Sequence, residues 1–417
     1  MEQKHDVILI GAGPAGMMAA GTAAQMGKSV LLLEKNDKCG RKLAITGKGR
    51  CNVTNNSDNQ NLMANIPVNG RFLYSAFAAF SSADTIDFFE SRGCPLKTER
   101  GNRVFPVSDS AYSIVDTLVG YCKENGVKIK KANVGSLIIE NGKITGVKTT
   151  DNRTFLCDNL ILACGGCSYP ATGSDGSGYI LARQAGHTVT PIYPSLVPLT
   201  SNSPDCKRLA GLQLKNIDIK AVNITDNKTV YSQRGELLFT PYGISGPLTL
   251  SASSHMRKIT PGKYTVYIDL KPALSYEKLD ERILRDFSQG AGLNISQILT
   301  KLLPFAMIPV ILDRCGMESS VKVGAITKQQ RLNLAQNIKC FDIPISGYRP
   351  IDEAIITSGG VDVKEINPKT MESKLVKGLY FAGEIIDVDA HTGGYNLQIA
   401  FSTGHAAAMG VIYNSNE

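Results

Sequence analysis

The pattern of apolar and polar positions at the start of the chain predicts an α/β fold. Residues 7–10 form an apolar run that stops at Gly11, a stretch of small residues follows over 17–26, and a second apolar run over 29–33 ends on Glu34. Strands buried on both faces read as continuous apolar runs, whereas a stretch of small residues suits a closely packed helix. The pattern therefore predicts a strand, a glycine turn, a helix and a second, parallel strand.

Two further patterns extend this first domain. Apolar residues at helical spacing predict helices over 72–92 and 110–125. Residues 127–164 instead alternate apolar and polar positions, and Asn141-Gly142 lies between two strand-like runs, which predicts a β-hairpin. The segment ends on an apolar run over 160–163 and on Gly165-Gly166. We therefore expect an antiparallel meander followed by another strand of the first sheet and a Gly-Gly turn.

The pattern changes after residue 190. Prolines at 191, 194 and 198 are followed by short alternating strands over 212–225 and 264–270. A polar helical stretch covers 276–287, more helix extends to about 315, and a last strand is expected near 321–327. The predicted organisation is a first domain over 1–190 and 350–417, an inserted β-barrel domain over 191–272 and 319–349, and a small helical domain over 273–318.

The C-terminal stretch repeats the order strand, loop, helix. An apolar run over 379–382 is followed by a loop over 384–394 with three acids and two glycines, and small residues occur along a helix predicted over 395–409. The N-terminus of this helix would be well placed to stabilise negative charge on a reduced isoalloxazine ring. A second strand-loop-helix unit in the same domain is expected for a flavoprotein rather than for a two-domain NAD enzyme.

The glycine turn at 11–16 has the spacing of a dinucleotide-binding site. Gly11 would permit the tight turn, Gly13 would leave room for a pyrophosphate above the helix N-terminus, and Gly16 would let helix and strand pack closely. Unpaired N–H groups at the helix start favour such an anion. Glu34, about 20 residues further on, would accept the hydrogen bonds of a ribose diol. The alternative for the glycines alone is a tight turn between buried elements.

The loop over 35–55 is basic and punctuated by glycines. Apart from Asp37 its charged residues are all cations, namely Lys35, Lys38, Arg41, Lys42, Lys48 and Arg50. Basic side chains and free amides beyond the ribose-binding acid suit a diphosphate and the flavin that follows it. An exposed basic loop is the alternative, but the loop leaves the C-terminal edge of a parallel sheet, where ligands bind.

Composition adds information through the distribution of charge. The chain has 417 residues, is 43% hydrophobic and carries a net charge of +8. The segment 191–349 holds 20 Lys/Arg and 12 Asp/Glu, whereas the rest of the chain holds 25 of each. The whole surplus therefore lies in the middle segment, which suggests a surface for an anionic partner such as RNA, with a solvated basic domain as the commoner explanation.

The cysteines and the termini bear on localisation. The ten cysteines are scattered, and Cys164-x-x-Cys167 has neither a second pair nor a histidine nearby, so buried thiols are favoured over a metal site or a redox dithiol. The histidines show no metal-ligand spacing. We expect a cytoplasmic protein, because the scattered cysteines suit a reducing compartment. No signal peptide is expected, because the charged N-terminus enters the first strand at once, and no stretch approaches the roughly 20 apolar residues of a membrane span. The sequence predicts no oligomeric state.

Five motifs spread along the chain resemble one family. They are GAGPAG (11–16), GRKLAITGKGRCNVTN (40–55), ACGGCSYPATGSDGSGY (163–179), GELLFTPYGISGP (235–247) and TMESKLVKGLYFAGEIIDVDAHTGGYNLQIAFSTG (370–404). The chain is similar to the BaiN/RdsA-type family of NAD(P)/FAD-dependent oxidoreductases, which includes aminoacetone oxidase-like flavoproteins. The resemblance implies a glutathione-reductase-like FAD-binding Rossmann domain interrupted by a β-barrel domain with a small helical domain. Where the family usually has a histidine, this chain has Pro241, so a proton-transfer role of that histidine does not carry over.

The resemblance also implies how FAD would bind. The glycines of 11–16 would meet the pyrophosphate, Arg41 and Lys42 would lie along the phosphates, and Val134 would offer backbone hydrogen bonds to adenine. The C-terminal loop would bracket the ribityl phosphate, and the helix start at 396–398 would present N–H groups to the flavin pyrimidine edge. The cofactor-binding residues predicted in this way are Gly11, Gly13, Pro14, Ala15, Gly16, Glu34, Lys35, Arg41, Lys42, Gly47, Asn52, Val134, Ala163, Gly165, Gly383, Glu384, Asp387, Gly394, Asn396, Leu397 and Gln398.

Candidate catalytic residues lie in the motifs expected near the flavin ring, and they are Arg50, Cys51, His391 and Tyr395. A thiol is a suitable acid for protonating carbon opposite a hydride, so Cys51 is the hypothesis for the proton donor. Its alternative is a small buried residue that packs the loop. No second GxGxxG occurs, so NADH or NADPH would visit the flavin transiently as electron donor.

Three functions remain open from the sequence. The first is reduction of a C=C bond in ribosomal RNA to give dihydrouridine, which the family resemblance and the basic middle segment favour and the absence of RNP, KH and zinc-knuckle signatures disfavours. The second is a small-molecule flavoenzyme, either an amine oxidase or an enone or steroid-type reductase. The third is a flavin-binding interaction module without turnover, which ranks last because the loops expected around the ring retain chemically capable residues.

Overall fold

The computed structural model describes residues 4–414, and the chain divides into two compact units. The first unit consists of the chain up to Ser195 together with the chain from Ile351 onward, and the second is Leu196–Pro350. Each unit has its own hydrophobic core.

The elements are numbered along the chain. The strands are β1 (His5–Ile10), β2 (Val30–Glu34), β3 (Thr54–Asn55), β4 (Leu96–Glu99), β5 (Arg103–Pro106), β6 (Lys128–Lys131), β7 (Val134–Glu140), β8 (Lys143–Thr149), β9 (Thr154–Leu162), β10 (Tyr193–Ser195), β11 (Leu199–Thr200), β12 (Gln213–Asn223), β13 (Lys228–Thr240), β14 (Gly243–Ser245), β15 (Tyr264–Asp269), β16 (Phe341–Ile345), β17 (Gly347–Tyr348), β18 (Ile356–Ser358) and β19 (Leu379–Phe381). The α-helices are α1 (Pro14–Gln25), α2 (Arg41–Ile45), α3 (Asn59–Ala64), α4 (Tyr74–Ala79), α5 (Ser82–Glu90), α6 (Ala111–Glu124), α7 (Ser177–Gln184), α8 (Pro204–Arg208), α9 (Pro247–Ser253), α10 (Tyr276–Gln289), α11 (Ile295–Leu299), α12 (Met307–Arg314), α13 (Lys328–Lys339) and α14 (Tyr395–Asn414).

The first unit is built on a parallel sheet in the order β6-β2-β1-β9-β19. The apolar run of β1 is buried between its neighbours, and Val7, Ile8 and Leu9 have no exposed surface. Strands covered on both faces need such uninterrupted apolar sequence. The predicted α/β Rossmann-type architecture is confirmed for this unit.

Close packing explains the small residues of the first and last helices. An added Cβ on Gly404 of α14 would lie 2.4 Å from the Ala15 carbonyl oxygen in α1, and one on Gly21 of α1 would lie 2.3 Å from the Tyr121 ring. Because the backbones meet this closely, larger side chains have no space. Helices α1 and α14 therefore show little amphipathic character although they pack against the sheet.

The meander predicted before the last Rossmann strand is present. Strands β7, β8 and β9 pair antiparallel, and Asn141 and Gly142 join β7 to β8 with positive φ angles of 51° and 74°. Two such residues suit the tight turn of a two-residue hairpin. The far end of β9 pairs in parallel with β1, so one strand belongs to both parts of the sheet.

The single helix predicted over 72–92 is wrong, because the structure has two helices there. Phe80 is extended (φ −151°) and ends α4. The Ser81 side chain then accepts the N–H of Asp84, while the Asp84 carboxylate accepts the Ser81 N–H. This capping box starts α5 and breaks a pattern that hydrophobic spacing alone would continue.

The second unit contains a seven-stranded sheet in the order β16-β15-β12-β13-β14-β11-β17, and all of its pairs are antiparallel. Helices α10 to α13 follow β15 in the chain. The strand predicted near 321–327 is wrong. A single 3-10 turn (Val323–Ala325) occurs there, and Thr327 and Gln330 form a capping box that starts α13. Closure of the sheet into a barrel, and a separate helical domain, stay predictions.

Candidate functional site

A cleft of the first unit lies at the carboxyl edge of the parallel sheet. It encloses about 1330 Å³, including its open mouth. Its walls come from the turns after β1, β2, β9 and β19, from the segment before β7, and from the first turn of α14. Ligands of doubly wound sheets bind at this edge because the loops after the strands converge there.

The glycine turn forms one wall, and its three glycines differ in their surroundings. Gly11 has a φ of +100°, and an added Cβ would lie 2.5 Å from the Ala163 carbonyl oxygen; on Gly16 it would lie 1.9 Å from the Gly11 carbonyl oxygen. Gly13 lines the cleft and has no atom within 4 Å of such a position. Gly11 and Gly16 are thus required by packing, whereas Gly13 keeps the cleft open.

The N-terminus of α1 is directed at this open space. Gly13 is its N-cap, Pro14 follows, and no side chain caps the helix. Pro14 and Ala15 line the cleft beside Gly13. Backbone N–H groups without a side-chain partner, together with the positive end of the helix dipole, favour an anion at this position.

Glu34 ends β2 and reaches back to the glycine turn. Its Oε2 accepts the Ala12 N–H (2.8 Å), and its Oε1 accepts the backbone N–H (2.8 Å) and the side-chain Nδ2 (2.7 Å) of Asn36. A carboxylate offers about four lone-pair positions, so one acceptor position remains for a ligand hydroxyl. Sequence reasoning missed Asn36, which also accepts a hydrogen bond from Arg41 (2.8 Å) and lines the cleft.

The three cations predicted to bind phosphate differ in their partners. Arg41 is exposed, lines the cleft and donates to the neutral side chain of Asn36. Lys35 forms an ion pair with Asp175 (2.7 Å). Lys42 forms an ion pair with Glu384 (2.7 Å), which also lines the cleft. Of these three, Arg41 is therefore the cation with its charge least compensated by a carboxylate.

Fifteen of the predicted cofactor residues line the cleft together: Gly11, Gly13, Pro14, Ala15, Glu34, Lys35, Arg41, Lys42, Val134, Ala163, Gly165, Gly383, Glu384, Asn396 and Leu397. The lining also includes residues outside the predicted cofactor set, among them Lys38, Asn133, Cys164, Thr172, Ser177 and Ile356. Lys38 belongs to the basic loop that was predicted to suit a diphosphate, and Asn133 and Cys164 closely follow the ends of β6 and β9, which is the signal that would have indicated them.

Six predicted cofactor residues lie outside the lining, namely Gly16, Gly47, Asn52, Asp387, Gly394 and Gln398. Gln398 has no exposed surface, and its side chain binds Thr54 (2.6 Å) and Thr85 (2.9 Å) in the core. Gly394 lies against Thr54, where an added Cβ would be 2.3 Å from the backbone. These two residues hold α14 against its neighbours.

Among the other members of this group, Gly16 lies in α1, whereas Gly47, Asn52 and Asp387 lie outside the α-helices and strands. Gly47 has a φ of +56°, and the Oδ1 of Asn52 is buried without a hydrogen-bond partner. Asp387 is buried, and its carbonyl oxygen accepts a hydrogen bond from the side chain of Asn69 (2.7 Å). A buried acceptor without a partner, as at Asn52, is costly unless a ligand or water supplies a donor.

The four candidate catalytic residues also lie outside the cleft lining. Arg50 is held by Glu99 and Asp109 (both 2.5 Å) and lies over the Phe105 ring. These carboxylates raise the pKa of its guanidinium above the usual range. Arg50 is therefore part of a partly exposed charged cluster.

The C-terminal candidates lie in a loop that is held by hydrogen bonds. His391 contacts the side chain of Asn65 through Nδ1 (3.2 Å), and its backbone N–H donates to the Asn65 carbonyl (3.0 Å). The Asn396 side chain accepts the Ala390 N–H (2.9 Å). Tyr395 is buried, and burial raises the pKa of its hydroxyl. The loop is thus fixed at the start of α14 by hydrogen bonds to Asn65 and to Asn396.

Cys51 is expected to be inert in the native protein. It has no exposed surface, and burial raises the pKa of its thiol to about 12. At pH 8 its thiolate fraction is then more than about 10³-fold below that of an ordinary thiol, so alkylation should slow at least as much. Mass spectrometry after iodoacetamide treatment, native against urea-unfolded, checks this, with half-buried Cys340 as the internal comparison. Equal labelling of Cys51 in the native and unfolded states would contradict this burial. The burial favours the interpretation of Cys51 as a residue that packs the loop.

The lining of the cleft fits FAD. The cleft lies at the carboxyl edge of the parallel sheet, where doubly wound folds bind dinucleotides. Its walls offer the uncapped start of α1, a carboxylate with a remaining acceptor position, and the exposed cation Arg41. The first-turn residues Asn396 and Leu397 of α14 line the same cleft.

No helix among residues 4–414 is both long and apolar enough to cross a membrane. The same residues contain no group of three or more His, Cys, Asp or Glu side chains arranged to hold a metal ion.

Comparison with known proteins identifies relatives over the whole chain. The family described as HI0933-like protein Rossmann domain matches residues 5–410. A ribosomal RNA dihydrouridine synthase of Haemophilus influenzae is 33% identical over 414 residues, covering 99% of both chains. A 3-dehydro-bile acid delta(4,6)-reductase of Clostridium scindens is 31% identical over 406 residues, covering 96% of this chain and 97% of the relative.

A solved structure shows the same fold at lower similarity. The 3-ketosteroid delta1-dehydrogenase of Sterolibacterium denitrificans, in complex with 1,4-androstadiene-3,17-dione, matches with a TM-score of 0.53 and 14% identity. The match covers 99% of this chain and 100% of that chain.

Proposed function

The chain belongs to the HI0933-like Rossmann family of FAD-dependent oxidoreductases, and from that premise we propose that it reduces a C=C bond of a uridine in ribosomal RNA, with NADH or NADPH as electron donor. The observation that carries the proposal is the full-length relative named as a ribosomal RNA dihydrouridine synthase. The bile acid relative is named as a reductase of the delta(4,6) type. Saturation of a double bond conjugated to a carbonyl is the chemistry that both names have in common.

The cofactor residues are proposed to act as follows. The start of α1 and Arg41 bind the pyrophosphate, Glu34 binds the adenosine ribose, and the N–H groups at Asn396 and Leu397 contact the flavin. When bound, FAD supplies the hydride chemistry, and a proton must reach the second carbon of the double bond. We propose that the cleft walls orient the cofactor and that the loops of residues 47–52 and 387–395 lie on the substrate side.

The second unit is the proposed RNA-binding part. Its segment holds 20 Lys/Arg against 12 Asp/Glu, and Lys215, Lys220 and Lys228 on β12 and β13 are exposed. Exposed lysines on a sheet suit a phosphate backbone, whose binding is dominated by such charges. We also propose that this sheet closes into the barrel that the resemblance implies.

Nucleoside analysis of ribosomal RNA tests the proposal directly. Cells that lack the protein should lose a dihydrouridine from ribosomal RNA, and the gene in trans should restore it. The Gly13→Ala variant, which places a methyl group in the cleft, should not restore it. Unchanged dihydrouridine in the deletion strain would refute the RNA substrate.

A small-molecule reductase is the second candidate, favoured by the bile acid relative at 31% identity. Salt distinguishes the two candidates. RNA binding through several phosphates should weaken by about 10³-fold or more between 50 and 200 mM salt, whereas binding of a neutral enone should change little. Titration of the FAD-loaded protein with ribosomal RNA and with a 3-oxo-Δ4 steroid, at both salt concentrations, separates them.

Arg41→Met is expected to weaken FAD binding about tenfold at low ionic strength. The reason is the loss of an exposed cation beside the phosphates, and the difference should shrink as salt screens it. The measurement is FAD titration of the apoprotein from 20 to 300 mM salt. Lys148→Met, which removes the same charge from β8 outside the lining, is the control. Equal FAD affinities of Arg41→Met and wild type would contradict the assignment.

A further inference from the structure

The ion pair between Lys42 and Glu384 is the centre of a larger polar network. Lys42 Nζ also donates to Ser168 Oγ (2.7 Å), and Glu384 Oε1 accepts from Ser168 Oγ (3.0 Å) and from the Thr357 N–H (2.9 Å). The side chains of Lys42 and Glu384 are 21% and 13% exposed. Paired charges at this depth are weakly screened by solvent and depend strongly on each other.

The hydrogen-bonding capacity of Lys42 is already used. An ammonium group has three donors, and Nζ has oxygen partners at 2.7 Å (Glu384 Oε2), 2.7 Å (Ser168 Oγ) and 3.1 Å (Glu384 Oε1). The pair is electrically neutral as a whole, so it adds no net positive charge beside a diphosphate. Arg41, the next residue in the chain, has a neutral partner instead.

The network joins segments that carry cleft walls. Lys42 lies on α2 after β2, Ser168 lies in the loop after β9, Thr357 belongs to β18, and Glu384 follows β19. Thr357 Oγ1 additionally accepts the N–H groups of Cys167 (2.8 Å) and Ser168 (3.2 Å). The cleft-lining glycines Gly165 and Gly383 lie in the loops that these bonds hold, so the spacing of the walls depends on the network.

We propose, on the basis of the FAD site proposed above, that Lys42 and Glu384 are a positioning pair: they act on cofactor binding through each other by holding the cleft walls together. Arg41, and not Lys42, is then the cation that meets the phosphates. This differs from the sequence prediction, in which Lys42 lies along the phosphates and Glu384 brackets the ribityl end.

A double-mutant cycle with FAD affinity as the readout tests the pair. Lys42→Met leaves Glu384 without its cation, and Glu384→Gln leaves Lys42 without its anion, so each should weaken FAD binding about tenfold. The double variant should bind within about threefold of either single variant, because both remove one and the same interaction. Lys42→Arg, which keeps the charge, should bind within about threefold of wild type. The same non-additivity should appear in urea unfolding of the four apoproteins.

Matched controls separate this role from general stability. Arg41→Met combined with Glu384→Gln should be additive, since these residues share no partner. Tyr121→Phe, which removes the hydroxyl bonded to Gln25 (2.7 Å) outside the lining, should lower the Tm without changing FAD affinity or the visible circular dichroism of the bound flavin. Lys42→Met and Glu384→Gln should change both.

The outcomes distinguish the inference from the function on which it rests. Tighter FAD binding by Glu384→Gln, or additivity of the Lys42 and Glu384 changes, would overturn the positioning pair while wild-type FAD binding still supported the proposed function. Unfolding of both single variants but not of the double variant would support the pair, and unfolding of all three would overturn it. Wild-type protein that binds no FAD would overturn both.

Discussion

Gly16→Ala is expected to destabilise the first unit by at least about 3 kcal/mol and to abolish FAD binding. The new methyl group would lie 1.9 Å from the Gly11 carbonyl oxygen, and its next neighbours are the Gly11 carbonyl carbon at 3.1 Å and the Ala163 side chain at 3.3 Å. A backbone oxygen in a tight turn cannot move aside as the end of a flexible side chain can. Urea unfolding of the apoprotein, followed by far-UV circular dichroism, measures the loss.

Gly13→Ala is the matched control, because it adds the same methyl group three residues earlier in the same turn. Gly13 has extended backbone (φ −80°, ψ −177°) and open space around an added Cβ. The variant should keep wild-type stability within about 0.5 kcal/mol. Since the methyl group enters the space proposed for the pyrophosphate, FAD affinity should still fall by tenfold or more. Wild-type FAD affinity in Gly13→Ala would show that the cofactor does not cross this turn.

Gln398→Leu is expected to cost about 3 kcal/mol of unfolding free energy. The side chain is completely buried, accepts hydrogen bonds from Thr54 and Thr85, and donates to the Phe80 carbonyl (3.2 Å) and to Ser402 (2.9 Å). Leucine would fill similar space but leave those polar groups with fewer partners. Urea denaturation of the apoprotein measures the change, and a loss below about 1 kcal/mol would contradict it.

Gln184→Leu serves as the control for this change. Gln184 also bridges backbone groups, through the Leu137 N–H (3.2 Å) and the Gly135 carbonyl (3.2 Å), but it is exposed on α7. Water can replace its bonds, so the expected change stays within about 0.5 kcal/mol. The comparison isolates burial as the cause of the larger effect, because the two substitutions are chemically identical.

Local sequence accounts for much of the first unit. The apolar runs of β1 and β2, the glycine turn and the Asn141-Gly142 hairpin are each specified by neighbouring residues. Backbone geometry and burial act over a few residues there, so patterns read along the chain suffice. The prediction of a single helix over 72–92 is wrong because the Ser81 cap starts a new helix, α5, where the hydrophobic spacing would continue the first.

The candidate site divides in the same way. Residues next to strand ends, such as Gly13, Glu34 and Val134, line the cleft as expected from their position in the chain. Motifs alone predicted a role at the flavin for Arg50, Cys51 and Gln398. In the structure Arg50 belongs to an ion-pair cluster, Cys51 is buried in a loop, and Gln398 lies in the core. Glu99 is 49 residues from Arg50 and Thr54 is 344 residues from Gln398, and no local pattern contains partners this distant.

The sequence by itself determined the Rossmann order of elements, the edge of the sheet at which a nucleotide would bind, and the turn that must remain free of side chains. Those features follow from residue size, backbone freedom and periodicity over short stretches of chain. Only the tertiary structure decided that Lys42 is neutralised by Glu384, 342 residues away, while Arg41 beside it remains available. The sequence shows only two adjacent cations, and the fold determines which of them lies beside a carboxylate.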